Sequence, residues 1–330
     1  MFVSELCLGT MTFGGRGQIW EMIGGIDQQA ADAIVHRALD AGINFVDTAN
    51  VYGAGESETM LGRALGNRRR DVVLATKVRG RMGKDANQVG LSRLHIIEAA
   101  EASLKRLGTD YIDLYQIHRF DALTSVEDTL RALDDLVRAG KVRYIGCSNL
   151  AAWQLMKALA ISRDQRLERF RCTQSYYSLA GRELEREMIP LLEDQGLGLL
   201  VWSPLAGGFL SGKFTREGGD AAARRSKFDF PPVNKEQAFN VLDVLKNLAP
   251  THGASIPQVA LAWILANRAV TSVIVGAKTV AQLDDNLKAI DVALSAEEKS
   301  ALDEVSRLTV EYPAWMDALG SDRRPGEQRY

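Results

Sequence analysis

Residues 112–146 read IDLYQIHRFDALTSVEDTLRALDDLVRAGKVRYIG. An apolar run opens this stretch at Ile112–Ile117, and a second run closes it at Val142–Gly146. Between the two runs, apolar residues recur at the spacing of a helix face: Val126, Leu130, Leu133 and Val137. The stretch therefore predicts a strand, a helix and a second strand, which together form a βαβ unit of about thirty residues.

The same pattern recurs along the whole chain. Eight short apolar runs, rich in β-branched residues, are separated mostly by segments with helical spacing: Leu6–Leu8, Ile43–Val46, Val72–Ala75, Ile112–Ile117, Val142–Gly146, Phe170–Thr173, Leu199–Trp202 and Val273–Val275. Strands that are apolar throughout are covered on both faces, as in a parallel sheet that helices surround. Eight such units predict an α/β fold, a closed (β/α)8 TIM barrel.

A doubly wound open sheet is the alternative fold. It usually carries a glycine-rich turn between its first strand and first helix. Gly14–Gly17 follows the first run, but no helical pattern begins before Asp27, so a loop explains this cluster better. We expect residues 1–330 to form one barrel domain. A typical barrel of this kind needs about 250 residues. The residues beyond that number would lie in loops at the C-terminal face, in a long loop after strand seven and in a C-terminal tail.

Composition and charge exclude several classes of protein. The chain is 46% apolar and 25% charged, as globular proteins are, and its 40 basic and 42 acidic residues give a net charge of -2. It has no basic excess for binding nucleic acid and no apolar stretch long enough to cross a membrane. Three widely spaced cysteines, Cys7, Cys147 and Cys172, fit neither a disulfide framework nor a zinc site. We expect reduced thiols in a cytoplasmic protein.

Polar side chains follow the apolar runs, at the positions that form the active site in a TIM barrel. Asp47 follows the second run, Lys77 the third and His118 the fourth, and Tyr52 lies in the same loop as Asp47. Singly, each side chain fits a structural role such as a turn or a loop contact. Together they predict proton transfer, because a Lys77 ammonium held by Asp47 would lower the pKa of Tyr52. His118 would polarise a bound carbonyl or assist the transfer.

Three segments carry a resemblance to a known family: Leu8–Gly14 (LGTMTFG), Asn44–Gly53 (NFVDTANVYG) and Gly146–Asn149 (GCSN). They resemble the signature segments of the aldo-keto reductases, and the match spans nearly the whole chain. The catalytic tetrad of that family falls on Asp47, Tyr52, Lys77 and His118. The resemblance implies an NAD(P)(H)-dependent oxidoreductase that acts on an aldehyde, a ketone or the corresponding alcohol, with the tyrosine as general acid and base.

The resemblance also implies where a nicotinamide cofactor would bind. The residues expected at the nicotinamide are Ser148, Asn149, Gln174 and Trp202, of which the last would stack on the ring. Those expected along the pyrophosphate are Ser203, Leu205, Gly207, Lys213 and Arg224, with Arg225 as the alternative to Arg224. Those expected at the adenosine end are Gly276, Lys278, Gln282, Asp285 and Asn286.

Lys278 is the basic residue placed to meet a 2′-phosphate, which favours NADP(H) over NAD(H). NAD(H) remains an alternative cofactor, because Gln282 occupies a position where a phosphate-binding arginine is common in the family, and Gly276 occupies one where a lysine is common. Two further functions also stay open. Potassium-channel β subunits, which would act as cofactor sensors, share the fold and the tetrad, and Lys77 could form a Schiff base with a substrate.

The expected partners are a small carbonyl or alcohol substrate and, at most, weak association with further copies of the chain. Aromatic and sulfur side chains in three segments could line an apolar pocket at the mouth: Trp20, Met22, Tyr312, Trp315 and Met316. Trp315 could equally anchor the tail to the barrel. The sequence shows no arginine cluster that would argue for a phosphorylated substrate, and no metal-site spacing. The N-terminal hairpin that usually closes the barrel floor in this family is expected to be shortened or absent.

Overall fold

Eight parallel strands close into a barrel in the computed structural model, which describes residues 1–15, 18–221 and 223–317. The strands are β1 (Leu6–Gly9), β2 (Phe45–Asp47), β3 (Val73–Val78), β4 (Ile112–Ile117), β5 (Val142–Ser148), β6 (Phe170–Tyr176), β7 (Gly198–Trp202) and β8 (Val270–Val275). Neighbours in the chain pair with each other, and β1 also pairs with β8, with Cys7 opposite Ile274. The prediction of a (β/α)8 barrel is confirmed, and the open sheet is excluded.

Helices surround the barrel. They are α1 (Gln18–Ile23), α2 (Gln28–Asp40), α3 (Glu56–Leu65), α4 (Arg93–Leu107), α5 (Val126–Arg138), α6 (Ala152–Gln165), α7 (Met188–Gln195), α8 (Arg224–Lys227), α9 (Lys235–Thr251), α10 (Ile256–Leu265), α11 (Val280–Leu287), α12 (Ala296–Val305) and α13 (Ala314–Asp317). Ser92 and Ser125 begin α4 and α5, because each hydroxyl accepts a hydrogen bond from the backbone N–H three residues on.

Two connections differ from what the sequence predicts. Helix α1 lies between β1 and α2, where we expected no helix, because a helix of 6 residues is too short to show periodicity. The segment after β7, expected as a loop, contains a two-stranded hairpin of Phe214–Thr215 and Gly218–Gly219, followed by α8. Arg16 and Gly17 of the glycine cluster lie outside the described residues.

The inside of the barrel is apolar below the mouth. The side chains that fill it are Cys7, Phe45, Ala75, Leu114, Cys172, Leu200 and Ile274. All three cysteines are buried and free, as expected.

The amino-terminal segment closes the floor of the barrel. Val3 packs against the inner apolar cluster. Ser4 fixes the segment, because its N–H donates to Asn44 Oδ1 at 2.7 Å and its carbonyl accepts from Ser272 Oγ at 2.8 Å. Residues 1–5, all of them described, contain no strand.

The described part of the chain contains neither a membrane-spanning helix nor a metal-binding cluster. None of the helices in residues 1–15, 18–221 and 223–317 is long and apolar enough to cross a membrane. The same part of the chain contains no group of three or more histidine, cysteine, aspartate or glutamate side chains that could hold a metal ion.

Candidate active site

The loop after β2 folds back over β3 and brings Tyr52 to the end of the barrel. The N–H of Thr48 donates to Ala75 O at 2.9 Å, and the N–H of Asn50 donates to Lys77 O at 3.2 Å. A tight turn follows Tyr52, with a φ of 55° at Gly53, and leads into α3. These bonds fix the loop to the neighbouring strand, so the Tyr52 side chain is held where β3 ends and is almost fully buried.

Lys77 links the predicted catalytic residues. Its Nζ donates to Asp47 Oδ1, to Thr48 O at 2.9 Å and to Tyr52 OH at 3.3 Å. All three ammonium hydrogens therefore have an acceptor. Lys77 is 0% exposed and Asp47 is 2% exposed, and the two side chains form a buried ion pair in which each compensates the charge of the other. Asp47, Lys77 and Tyr52 form one connected, buried unit.

Asp47 has two further partners. Gln116 Nε2 donates to Asp47 Oδ2 at 3.0 Å, and Gln174 Nε2 donates to the same oxygen at 2.8 Å. Three donors thus fix the orientation of the carboxylate. Gln116 was not among the predicted site residues, although a polar side chain inside an apolar strand was a usable signal. Gln174, which we expected at the nicotinamide, also holds Asp47.

His118 completes the predicted tetrad. It follows β4 directly, and its backbone N–H donates to Val78 O at 2.9 Å. Its ring lies edge-on to Tyr52, with 5.9 Å between the ring centroids. Burial, followed by the charge of Lys77, lowers the pKa of His118 to about 3. The imidazole is therefore neutral at physiological pH and can donate or accept a hydrogen bond without carrying a charge.

The protonation states of Tyr52 and Lys77 follow from burial and charge. Burial raises the pKa of Tyr52 above its ordinary value, and the Lys77 ammonium opposes this rise only in part. Lys77 does act to lower this pKa, as expected, but burial of the phenol, which the sequence does not reveal, outweighs it. For Lys77, burial disfavours the ammonium, but the charges and hydrogen bonds of Asp47 and Tyr52 outweigh burial and raise its pKa. Tyr52 is therefore protonated, and Lys77 is charged.

The residues expected at the nicotinamide meet at the ends of β5, β6 and β7. Trp202 Nε1 donates to Asn149 Oδ1 at 3.0 Å. The Asn149 amide donates to His118 O at 3.0 Å and to Ser148 Oγ at 2.9 Å, and Ser148 Oγ donates to Gln174 O at 2.8 Å. The barrel thus brings all four residues together beside His118.

The backbone after β7 turns sharply. Ser203 and Ala206 have φ values of 52° and 50°, a region that side chains disfavour, and Gly207 has a φ of 67°. A Cβ at Gly207 would lie 2.2 Å from Phe230 O, so only glycine fits there. Leu205 O accepts a hydrogen bond from Gly208 N at 2.9 Å and closes the turn.

Arg224 and Arg225, which the sequence does not separate, have different environments. The Arg225 guanidinium is buried, donates to Ala206 O at 2.6 Å and to Pro231 O at 2.7 Å, and pairs with Asp229 at 2.7 Å. Arg225 therefore holds the loop together. Arg224 Nε is also buried but has no hydrogen-bond partner among the described residues.

The residues expected at the adenosine end lie around the start of α11. Thr279 caps the helix, and Gln282 Oε1 accepts a hydrogen bond from Lys278 N at 2.8 Å. Asp285 instead accepts hydrogen bonds from α10, from Ser255 Oγ at 2.9 Å and from Gln258 Nε2 at 2.7 Å. Gly276 follows β8, and Asn286 is buried in α11. Lys213, which is expected along the pyrophosphate, precedes the small hairpin, and its carbonyl accepts a hydrogen bond from Asp220 N at 3.1 Å.

Three cations gather on this side of the mouth. Burial, followed by the charges of Lys227 and Arg224, lowers the pKa of Lys278. Burial and the charge of Arg225 likewise lower the pKa of Arg224. The positive charges of Lys227 and Arg224 acting on Lys278 favour an anion as a ligand.

The sequence pattern of the Aldo/keto reductase family matches residues 5–307. The chain belongs to the aldo/keto reductase family. The uncharacterized oxidoreductase YrpG of Bacillus subtilis (strain 168) is 42% identical over 308 residues, 89% of this chain and 90% of that protein. The versiconal hemiacetal acetate reductase of Aspergillus parasiticus is 36% identical, over 92% of this chain and 93% of that enzyme. A probable voltage-gated potassium channel subunit beta of Oryza sativa subsp. japonica is 38% identical, over 88% of each chain.

Aromatic rings line the mouth of this aldo/keto reductase. Trp20 lies 5.4 Å from Tyr52 between ring centroids. Trp202 contacts Tyr176 at 5.2 Å and Phe230 at 5.8 Å, the latter nearly parallel. Tyr176 and Phe230 were not predicted as residues of the mouth, because their contacts with Trp202 form only when β6, β7 and the following loop pack together. Two tail residues expected near the mouth, Tyr312 and Trp315, contact each other and are 75% and 50% exposed.

Proposed function

We propose that this aldo/keto reductase transfers a hydride between NADP(H) and an aldehyde or ketone, or the corresponding alcohol, with Tyr52 as general acid and base. The buried chain of hydrogen bonds from Asp47 through Lys77 to Tyr52 carries the proposal. A protonated phenol beside a charged ammonium suits a reaction in which a proton moves onto a developing alkoxide.

The chemistry divides between the cofactor and the protein. When bound, the nicotinamide supplies or accepts the hydride at the carbonyl carbon. Tyr52 donates its proton to the carbonyl oxygen, and the Lys77 ammonium stabilises the phenolate that remains. Asp47 keeps Lys77 charged and in place. Neutral His118 donates a hydrogen bond that orients the carbonyl.

The cationic side of the mouth fits a phosphorylated cofactor. Arg224 has a buried Nε without a partner among the described residues, and it lies in a group with Lys227 and Lys278. We assign Arg224, and not Arg225, to the pyrophosphate, since Arg225 is committed to the loop. Lys278 would bind the 2′-phosphate, which favours NADP(H).

A fluorescence titration with NADPH and NADH tests the cofactor assignment. We expect NADPH to bind at least about tenfold more tightly than NADH, because a charge-assisted contact contributes more than 1.4 kcal/mol. Lys278→Ala should bring the two affinities close together. Equal affinities in both proteins would contradict the role of Lys278.

The channel subunits among the relatives support a second candidate function, that of a cofactor sensor. NADPH consumption against a panel of aldehydes and ketones separates the two functions. A reductase turns over repeatedly, whereas a sensor shows bound cofactor and only a few turnovers.

A Schiff-base reaction at Lys77 has less support, because the charged, buried ammonium is a poor nucleophile. Borohydride should therefore trap no substrate on Lys77.

A further inference from the structure

Arg79 stands out at the mouth of the barrel. It lies two residues beyond Lys77, directly after β3, and has a φ of 136°, in the region that favours glycine. The N–H of Gly90 donates to Arg79 O at 3.0 Å and holds this backbone in place. Strained residues persist where the surrounding structure fixes them, and they cluster at ligand sites.

The Arg79 side chain also has an unused donor. Its Nε is buried and has no hydrogen-bond partner among the described residues. The negative charge of Asp121 acts on Arg79, but the Asp121 carboxylate already accepts hydrogen bonds from other groups. That carboxylate accepts from Leu91 N at 2.8 Å, from Leu123 N at 3.2 Å and from Thr124 Oγ1 at 3.0 Å. A buried guanidinium donor without an acceptor costs free energy unless a ligand supplies one.

A second guanidinium lies near the first. Arg119 follows His118 directly and is exposed. Burial and then the charge of Arg119 lower the pKa of Arg79, so the two cations are close enough to repel each other. Both charges also act on His118, the residue that we propose orients the carbonyl.

These two arginines are separate from the cations proposed for the cofactor. In the barrel, β3 lies four strands from β7, and β4 lies four strands from β8. Arg79 and Arg119, which follow β3 and β4, therefore lie across the barrel from Lys278, which follows β8. An anion between them would be part of the substrate.

We propose that Arg79, together with Arg119, forms an anion-binding subsite, and that the substrate is a carbonyl compound that carries a carboxylate. This inference rests on the proposed carbonyl chemistry. A guanidinium matches a carboxylate in shape and charge, since it can donate two parallel hydrogen bonds. The contact would fix the substrate while His118 and Tyr52 act on its carbonyl.

The first test compares 4-carboxybenzaldehyde with 4-methylbenzaldehyde, which are similar in size but differ in charge. We expect kcat/KM to be at least about tenfold higher for the carboxylated aldehyde in the natural protein. Arg79→Gln should lower kcat/KM for that aldehyde by about tenfold or more, and for the methyl compound by less than about threefold. For the carboxylated aldehyde, kcat/KM of Arg79→Lys should lie between the values of the natural protein and of Arg79→Gln. Arg163→Gln, which removes the same charge from an exposed position on α6, is the control.

The second test needs no turnover and measures binding of benzoate and benzamide from tryptophan fluorescence. Benzoate should bind more tightly than benzamide, and Arg79→Gln should abolish the difference. If neither aldehyde is reduced, the proposed carbonyl reduction fails, while benzoate binding still tests the subsite. The subsite is refuted if the natural protein shows no preference for the carboxylate, or if Arg79→Gln affects the charged and neutral compounds equally.

Discussion

Replacing Lys77 with methionine removes the ammonium that faces Tyr52 and keeps most of the side-chain volume. The Nζ and the Tyr52 oxygen are 3.3 Å apart. At an effective dielectric constant of about 20, two unit charges at this distance interact by about 5 kcal/mol. The phenol is neutral before the reaction, so this interaction appears only as its proton leaves, and it lowers the barrier. We therefore expect Lys77→Met to reduce the rate of carbonyl reduction by roughly three to four orders of magnitude.

Single-turnover measurements of NADPH oxidation give this rate, and a fluorescence titration gives the dissociation constant of NADPH. The dissociation constant should change by less than about threefold, because all three acceptors of the Lys77 ammonium are groups of the protein itself. The variant should also lose about 3–5 kcal/mol of stability, because Asp47 keeps a buried charge without its partner. A double variant, Asp47→Asn with Lys77→Met, should regain much of that stability but no activity. A rate loss below about tenfold, or activity that returns with stability, would refute this reasoning.

Two further predictions concern stability. In the unfolded chain His118 gains a proton below about pH 6.5, but in the folded protein it does so only near pH 3, so stability should fall as the pH decreases between these values. At pH 4 the loss is about 3 kcal/mol, and urea unfolding of His118→Gln should lack this component. Arg225→Met should cost about 2–4 kcal/mol, because it leaves buried carbonyl oxygens unpaired. Arg224→Met should cost less than about 1 kcal/mol but weaken NADPH binding. Equal losses of stability in the two arginine variants would contradict the different roles of these residues.

The fold was predictable because a parallel barrel leaves a strong pattern in the sequence. Each barrel strand is buried on both faces, so runs such as Ile112–Ile117 stand out between amphipathic segments. Helix α1 and the hairpin after β7 were not predicted, because elements of two to six residues carry no periodicity. Their formation depends on contacts with the rest of the mouth.

The four tetrad positions were predictable because the end of each strand marks the mouth of the barrel. The hydrogen bonds and charge interactions that join the site residues were harder to predict from the sequence. Gln116 acts through Asp47, from another strand, and only the closed barrel brings them together. Arg79 and Arg119 lie in different loops, so their two charges come together only in the folded chain. The direction of the pKa shift of Tyr52 depends on burial, which residue type and order do not specify.

The role of Tyr52 is the central claim, and Tyr52→Phe tests it most directly. This substitution removes the phenolic hydroxyl and keeps the ring that packs against Trp20 and His118. Single-turnover oxidation of NADPH by an aldehyde should slow by at least about a thousandfold, while the dissociation constant of NADPH stays within about threefold. Turnover within about tenfold of the unaltered protein, with NADPH still bound, would contradict Tyr52 as the proton donor.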